Sequence, residues 1–223
     1  MNTARGTRGA RIRYSRDQSE FDRAIAFFDA TYAVALTLLV MSLDVSDAGS
    51  SFKSVSALAH AVGAQFFAFL IAFAVLSGFW LLHYRMVATF VAIDIRTITA
   101  NLCLIAAVVL LPFSTSAVGD PGVADLPLPT VLMAINVAAL SVLHTAVWMM
   151  ADRGRLLDHT PSDGERFDAM SGGLVPAAVF LASVPIAYLA APGIARLFWL
   201  SVFVINPVMS AVARRHRSST DDL

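Results

Sequence analysis

Apolar positions along this chain do not alternate with polar ones; they run in long blocks separated by short polar segments. Six blocks approach the roughly 20 residues that a helix needs to cross a bilayer, near 21–45, 57–82, 97–118, 129–151, 172–191 and 194–213. Between the fifth and sixth stands only Ala191-Pro192-Gly193, which predicts a tight helical hairpin, with proline and glycine ending one helix and starting the next. The expected fold class is therefore all-α: a polytopic membrane protein of six transmembrane helices. It divides into a basic N-terminal arm at 1–20, a six-helix membrane domain at 21–213 and a C-terminal tail at 214–223.

Composition agrees with a lipid environment. The 223 residues are 57% hydrophobic and 14% charged, with a mean hydropathy of +0.70, outside the range of ordinary soluble domains. The formal net charge is zero, so the total points to no nucleic-acid partner, and only the placement of charge is informative. Fourteen of the sixteen basic residues fall on one side of a six-crossing topology: the arm with Arg5, Arg8, Arg11, Arg13 and Arg16, then Arg23, Arg85, Arg96, Arg153, Arg155, Arg166, Arg214, Arg215 and Arg217. Lys53 and Arg196 alone fall on the other. The positive-inside rule then places both termini in the cytoplasm and the protein in the cell (inner) membrane. The arm resembles the charged start of a secretory signal, but the apolar stretch after it is too long for a signal core, and the first block is expected to remain as a helix.

Cys103, the single cysteine, excludes an internal disulfide and any cysteine-based metal cluster; inside its apolar run it reads as a small packing residue. Segment 152–168, mixed in charge, reads as a solvated connector, and 119–129, rich in Pro, Gly and Asp, as a turn. His60, His83 and His144 are the histidines an intramembrane enzyme would use. None stands in a recognised catalytic or metal-ligating spacing, so neither enzymatic activity nor a cofactor is expected. The first three and last three helices do not repeat one another, which weighs against a transporter built from repeats.

The first helix holds the unusual residues. Asp29 lies about 12 Å beyond Phe21 along the axis at 1.5 Å per residue, a depth at which a carboxylate needs a partner in another helix. Arg23 is on a different face, and the candidates are Trp80, His83 and Asn101. Further on, Val34, Leu38 and Met41 share one face at i, i+4 and i+7, with Thr37 beside it. That stripe by itself is packing against a helix or lipid.

These residues resemble the transmembrane protein 175 (TMEM175) family of potassium channels. The family pattern of Arg, three residues, then Phe-Ser-Asp is matched by Arg23 and Phe27-Phe28-Asp29, with Phe28 in place of the serine. A Trp, two residues, then His is matched by Trp80 and His83; an Asn before an apolar run ending in Pro-Phe-x-Thr is matched by Asn101 and by Pro112-Phe113-Ser114-Thr115. The resemblance implies a homotetramer that passes potassium and other monovalent cations, its pore lined by the first helix of each subunit. It makes Val34 the constriction, with Leu38 and Met41 as further apolar layers and Thr37 as a polar one. Arg23, Phe27, Phe28, Asp29, Trp80, His83 and Asn101 become the structural network that holds helix 1 in place. The remaining alternatives are a proton-coupled transporter that uses Asp29 and His83, with a fifth helix broken at Pro176 and Pro185, and a non-conducting membrane scaffold.

Overall fold

The structure is a computed structural model and describes residues 12–43, 52–123 and 125–205. Strand β1 (Arg13–Ser15) leads into helix α1 (Ser19–Leu38), which tightens into a 3₁₀ turn at Leu39–Ser42. Helix α2 (Val55–Ala88) is followed by strand β2 (Ala92–Asp94) and helix α3 (Ile95–Gly119). Helices α4 (Pro127–Gly154), α5 (Asp163–Leu189) and α6 (Pro192–Phe198) complete the order, and the last stays helical to Ile205. The first five are long and apolar enough to cross a membrane. The expected sixth crossing is helical in its first part, and its remainder lies outside the described residues.

Helix boundaries follow capping chemistry more closely than hydropathy. Ser54 accepts a bond from the Ala57 amide and so starts α2, and Asp94 accepts from both the Thr97 amide and its hydroxyl at the start of α3. Helix α4 opens on Pro127 at its first position, where a missing N–H costs nothing, and closes with Arg155 in the left-handed region at φ 53°. A reciprocal capping box between Ser162 and Glu165 starts α5 at Asp163, well before the apolar block expected from 172. Of the segment 152–168 expected as connector, 152–154 and 163–168 are thus helix, which corrects that reading. The 34 residues of α2 extend about 50 Å, longer than the ~30 Å hydrocarbon core, so its ends project beyond it or it is tilted.

Within the bundle, α4 lies between α3 and α5, while α1 packs on α2 and α3. Leu104, Val108, Leu111, Met133, Val137 and Leu140 form the fully enclosed seam between α3 and α4. Across it the Asn136 amide donates to the Ser114 hydroxyl at 3.1 Å. Where α4 meets α5, Gly173 is required by close approach, because a Cβ there would collide with the Thr145 hydroxyl. Cys103 is exposed on α3, which corrects the expectation of a packing residue inside the chain.

The all-α expectation needs one amendment. At the end of the bundle where α2 meets α3, β1 and β2 form an antiparallel ribbon in the register Arg13 to Asp94, Tyr14 to Ile93 and Ser15 to Ala92. Arg16 extends it, its amide bonding the Val91 carbonyl and its guanidinium the Ala88 and Phe90 carbonyls. Arg13 reaches the Gly154 carbonyl at 2.8 Å. On the other side of this connector, Val91 donates to the Leu156 carbonyl and Asp158 to that of Thr89. Phe90, Ile93 and Leu156 are enclosed beneath. The end of the basic arm is therefore stitched to two connectors.

Candidate functional site

Helix α1 has two faces of different chemistry. Phe28, Tyr32, Ala35, Leu39 and Ser42 recur every three to four residues, with Phe21 two turns before Phe28, and are buried against α2 and α3. The opposite face carries the stripe singled out from the sequence. Val34 is 56% exposed, Leu38 44% and Met41 76%. Ala26, Ala30, Ala33 and Thr37 are exposed beside them. The Thr37 hydroxyl donates to the Val34 carbonyl at 2.7 Å, so its proton is used within the helix while its oxygen lone pairs face outward.

On the buried side, the indole N–H of Trp80 in α2 donates to Asp29 Oδ1 at 3.2 Å, which supplies the partner that a carboxylate at this depth requires. His83, one turn further along α2, turns to α3 instead: its Nε2 meets Asn101 Oδ1 at 2.9 Å. Asn101 is oriented in turn by donating to the Thr97 carbonyl, and Thr97 is held by the helix cap at Asp94. Asp29 and His83 are thus each engaged with a different neighbour. Phe28 is enclosed, edge-on to the His83 ring at 6.0 Å between centroids, so the ring at the serine position of the family pattern fills core space. Phe27 and Arg23 stand on the exposed side, and Arg23 makes no hydrogen bond or ion pair among the described residues.

Two residues of this cluster were not singled out for helix 1. Tyr32 lies against His83 at 5.5 Å, and His144 of α4 lies 6.4 Å from His83 and 6.2 Å from Phe79. Tyr32 was recoverable, since it follows Phe28 by four residues and precedes Ala35 by three on one stripe. His144 reads in the sequence only as a lone histidine, and no local pattern ties it to His83. His60, at the far end of α2, is exposed. Among the described residues no three His, Cys, Asp or Glu side chains gather as a metal site.

Comparison with known proteins bears on the same segment. The model of the family described as "Endosomal/lysosomal potassium channel TMEM175" matches residues 23–112, from Arg23 in α1 to Pro112 in α3. A potassium channel of Streptomyces collinus (strain DSM 40733 / Tue 365) is 28% identical over 105 residues, which cover 46% of this chain and 49% of that protein. The match therefore spans about half the length of that relative. Among solved structures, the crystal structure of a lysosomal potassium-selective channel TMEM175 homolog from Chamaesiphon minutus has a TM-score of 0.69 at 21% identity, covering 88% of this chain and 99% of that one. A variant of the potassium channel MtTMEM175, solved with a nanobody fusion, has a TM-score of 0.54 at 19% identity, covering 96% and 99%.

The fold and the two-faced first helix define the class: a multi-pass membrane protein with the helical architecture of these channels. More narrowly, the chain resembles the TMEM175 family, in sequence from α1 to α3 and in fold over most of its length. Its relatives are potassium channels and not enzymes.

Proposed function

We propose that this chain is the subunit of a potassium-permeable cation channel, a homotetramer in which the outer face of α1 from each copy lines a central pore. The observation that carries the reading is the exposure of Val34, Leu38 and Met41 on the helix that is otherwise tied to α2 and α3 by its motif residues. One helix cannot enclose a passage, whereas four around an axis can. Along such an axis Val34 and Leu38 stand about 6 Å apart, and Leu38 and Met41 about 6 Å through the 3₁₀ turn, which gives successive apolar layers with Thr37 between the first two.

The sequence has no Thr-Val-Gly-Tyr-Gly segment whose carbonyls could replace the hydration shell of the ion. The ion meets side chains instead. A narrow ring of four apolar groups empties of water and bars a hydrated cation until it widens, so gating by dewetting and modest discrimination among monovalent cations follow. The Asp29–Trp80 pair ties α1 to α2 and the His83–Asn101 pair ties α2 to α3, and both lie off the ion path. Their separate engagement weighs against a proton relay between Asp29 and His83. The charge bias supports both termini in the cytoplasm and residence in the cell membrane.

Planar-bilayer recording of the purified protein under opposed potassium and sodium gradients tests the reading. Steady cation current is expected, with Leu38→Asn raising leak through the closed state. Absence of current together with proton-coupled uptake into liposomes refutes the channel, and a monomer in mild detergent refutes the shared pore.

A further inference from the structure

On the side of α2 turned away from α1, a groove of about 280 Å³ runs between α2, α5 and α6. Its floor is the face of α2 from Ala74 to Arg85, and its far wall is formed by Pro176 of α5 with Val202 and Phe203 of the last helix. At 1.5 Å per residue the floor is about 16 Å long and follows the helix axis. The volume approaches the roughly 300 Å³ at which ligand pockets begin. Gly78 opens it, since a Cβ at that position would meet nothing within 4 Å.

Apart from Arg85, every residue lining the groove is apolar. Arg85 stands at the end nearest the β ribbon, in the last turn of α2, exposed and with no acid paired to it among the described residues. A greasy slot parallel to a spanning helix, ending in an unpaired guanidinium where α2 leaves the hydrocarbon, is shaped for an acyl chain with an anionic head. Zwitterionic lipid would fill the slot equally but offers Arg85 no net charge.

We propose that this groove binds one anionic phospholipid, an acyl chain lying over Gly78 and the headgroup phosphate on Arg85. The proposal needs the chain to span a membrane and does not need it to conduct. Its test is native mass spectrometry of the full protein in mild detergent, titrated with phosphatidylglycerol or phosphatidylcholine. One tightly retained phosphatidylglycerol per chain is expected, preferred over phosphatidylcholine. Arg85→Gln should weaken that retention about fivefold, as loss of one basic contact at a membrane surface does. Arg96→Gln, away from the groove, should leave it unchanged. Gly78→Phe fills the floor and should lower retention of both lipids, with the thermal unfolding of the lipid-free variant reporting that it is folded. Equal retention of phosphatidylglycerol in wild type, R85Q and G78F overturns the proposal. So does a disulfide between copies formed by Gly78→Cys in a Cys103→Ser background, which places a second chain in the groove. Either result leaves the bilayer current untouched, so the lipid site and the channel fail separately.

Discussion

Helices α1 and α4 are of near-equal hydropathy, yet the protein treats them in opposite ways. In α4, 61% of the membrane-spanning window is buried inside the chain, against 22% in α1. Helix α4 is enclosed by α3 and α5 and lies outside the segment 23–112 that matches the family; α1 carries the first block of the motif and leaves one face uncovered. Apolarity in a membrane protein therefore says that a surface avoids water, and leaves open whether a side chain meets protein, lipid or a second copy. The motif residues separate the cases, because Asp29, Trp80, His83 and Asn101 fix which side of α1 faces inward and so leave Val34, Leu38 and Met41 outward.

Truncation on the two helices gives the largest test of this contrast. Leu140→Ala removes an enclosed side chain of α4 and should destabilise the fold by about 3 kcal/mol in detergent, through lost packing and the cavity left behind. Val34→Ala on the outer face of α1 should cost less than about 0.5 kcal/mol in the isolated subunit. An equal loss at Val34 would break the comparison, and a loss at Val34 that appears only in the oligomer would sharpen it. Next in size, Trp80→Phe removes the donor to Asp29 and should cost about 2 kcal/mol, the range for a bond to a charged group left without its partner. Trp80→Leu should cost no less, and a neutral result for both would mean that the carboxylate is solvated by other means.

The smallest effect belongs outside the membrane. His159, between α4 and α5, bonds Asp158 at 2.6 Å and is held above its ordinary value by that bond. Its pKa is raised in the folded state, so the order it adds to the 155–162 segment is complete below the unfolded value of about 6.5 and is lost as pH rises through the folded value. Amide exchange of this segment should quicken across that interval and lose its pH step in His159→Gln. Because both partners are half exposed, the step stays local, and a shift in global unfolding would contradict it.

Much of this arrangement was readable before any coordinates. The five long spans follow from block length, and Trp80 stood among the three partners considered for Asp29. That His83 belongs with Asn101 and not with Asp29 was hidden, because which residues meet between helices depends on rotation and depth that periodicity along one helix leaves open. The early start of α5 was missed for a different reason: the side chains of Ser162 and Glu165 begin a helix by satisfying backbone groups, and they lower hydropathy while doing so. Strands of three residues such as Arg-Tyr-Ser and Ala-Ile-Asp hold too little alternation to be recognised, and the pairing joins segments far apart in the chain. Cys103 was misjudged because an apolar neighbourhood in sequence is not an interior.

The ribbon moors α1 at its foot, as Leu39 and Ser42 moor it at its far end. Arg13 and Arg16 fasten its approach to the connectors beyond α2 and α4, and the Arg16 guanidinium sits 6.0 Å above the Phe21 ring at the foot of the helix. Twisting about its own axis would strain these bonds and the Asp29 contact, and leaning from the base would strain the packing of Leu39 and Ser42. The far end is the tighter turn at Leu39–Ser42, where Leu39 and Ser42 are buried against α2 and α3 while Met41 stands exposed. The exposed stripe from Val34 to Met41 thus sits on a helix held at both ends, like a stave between two hoops.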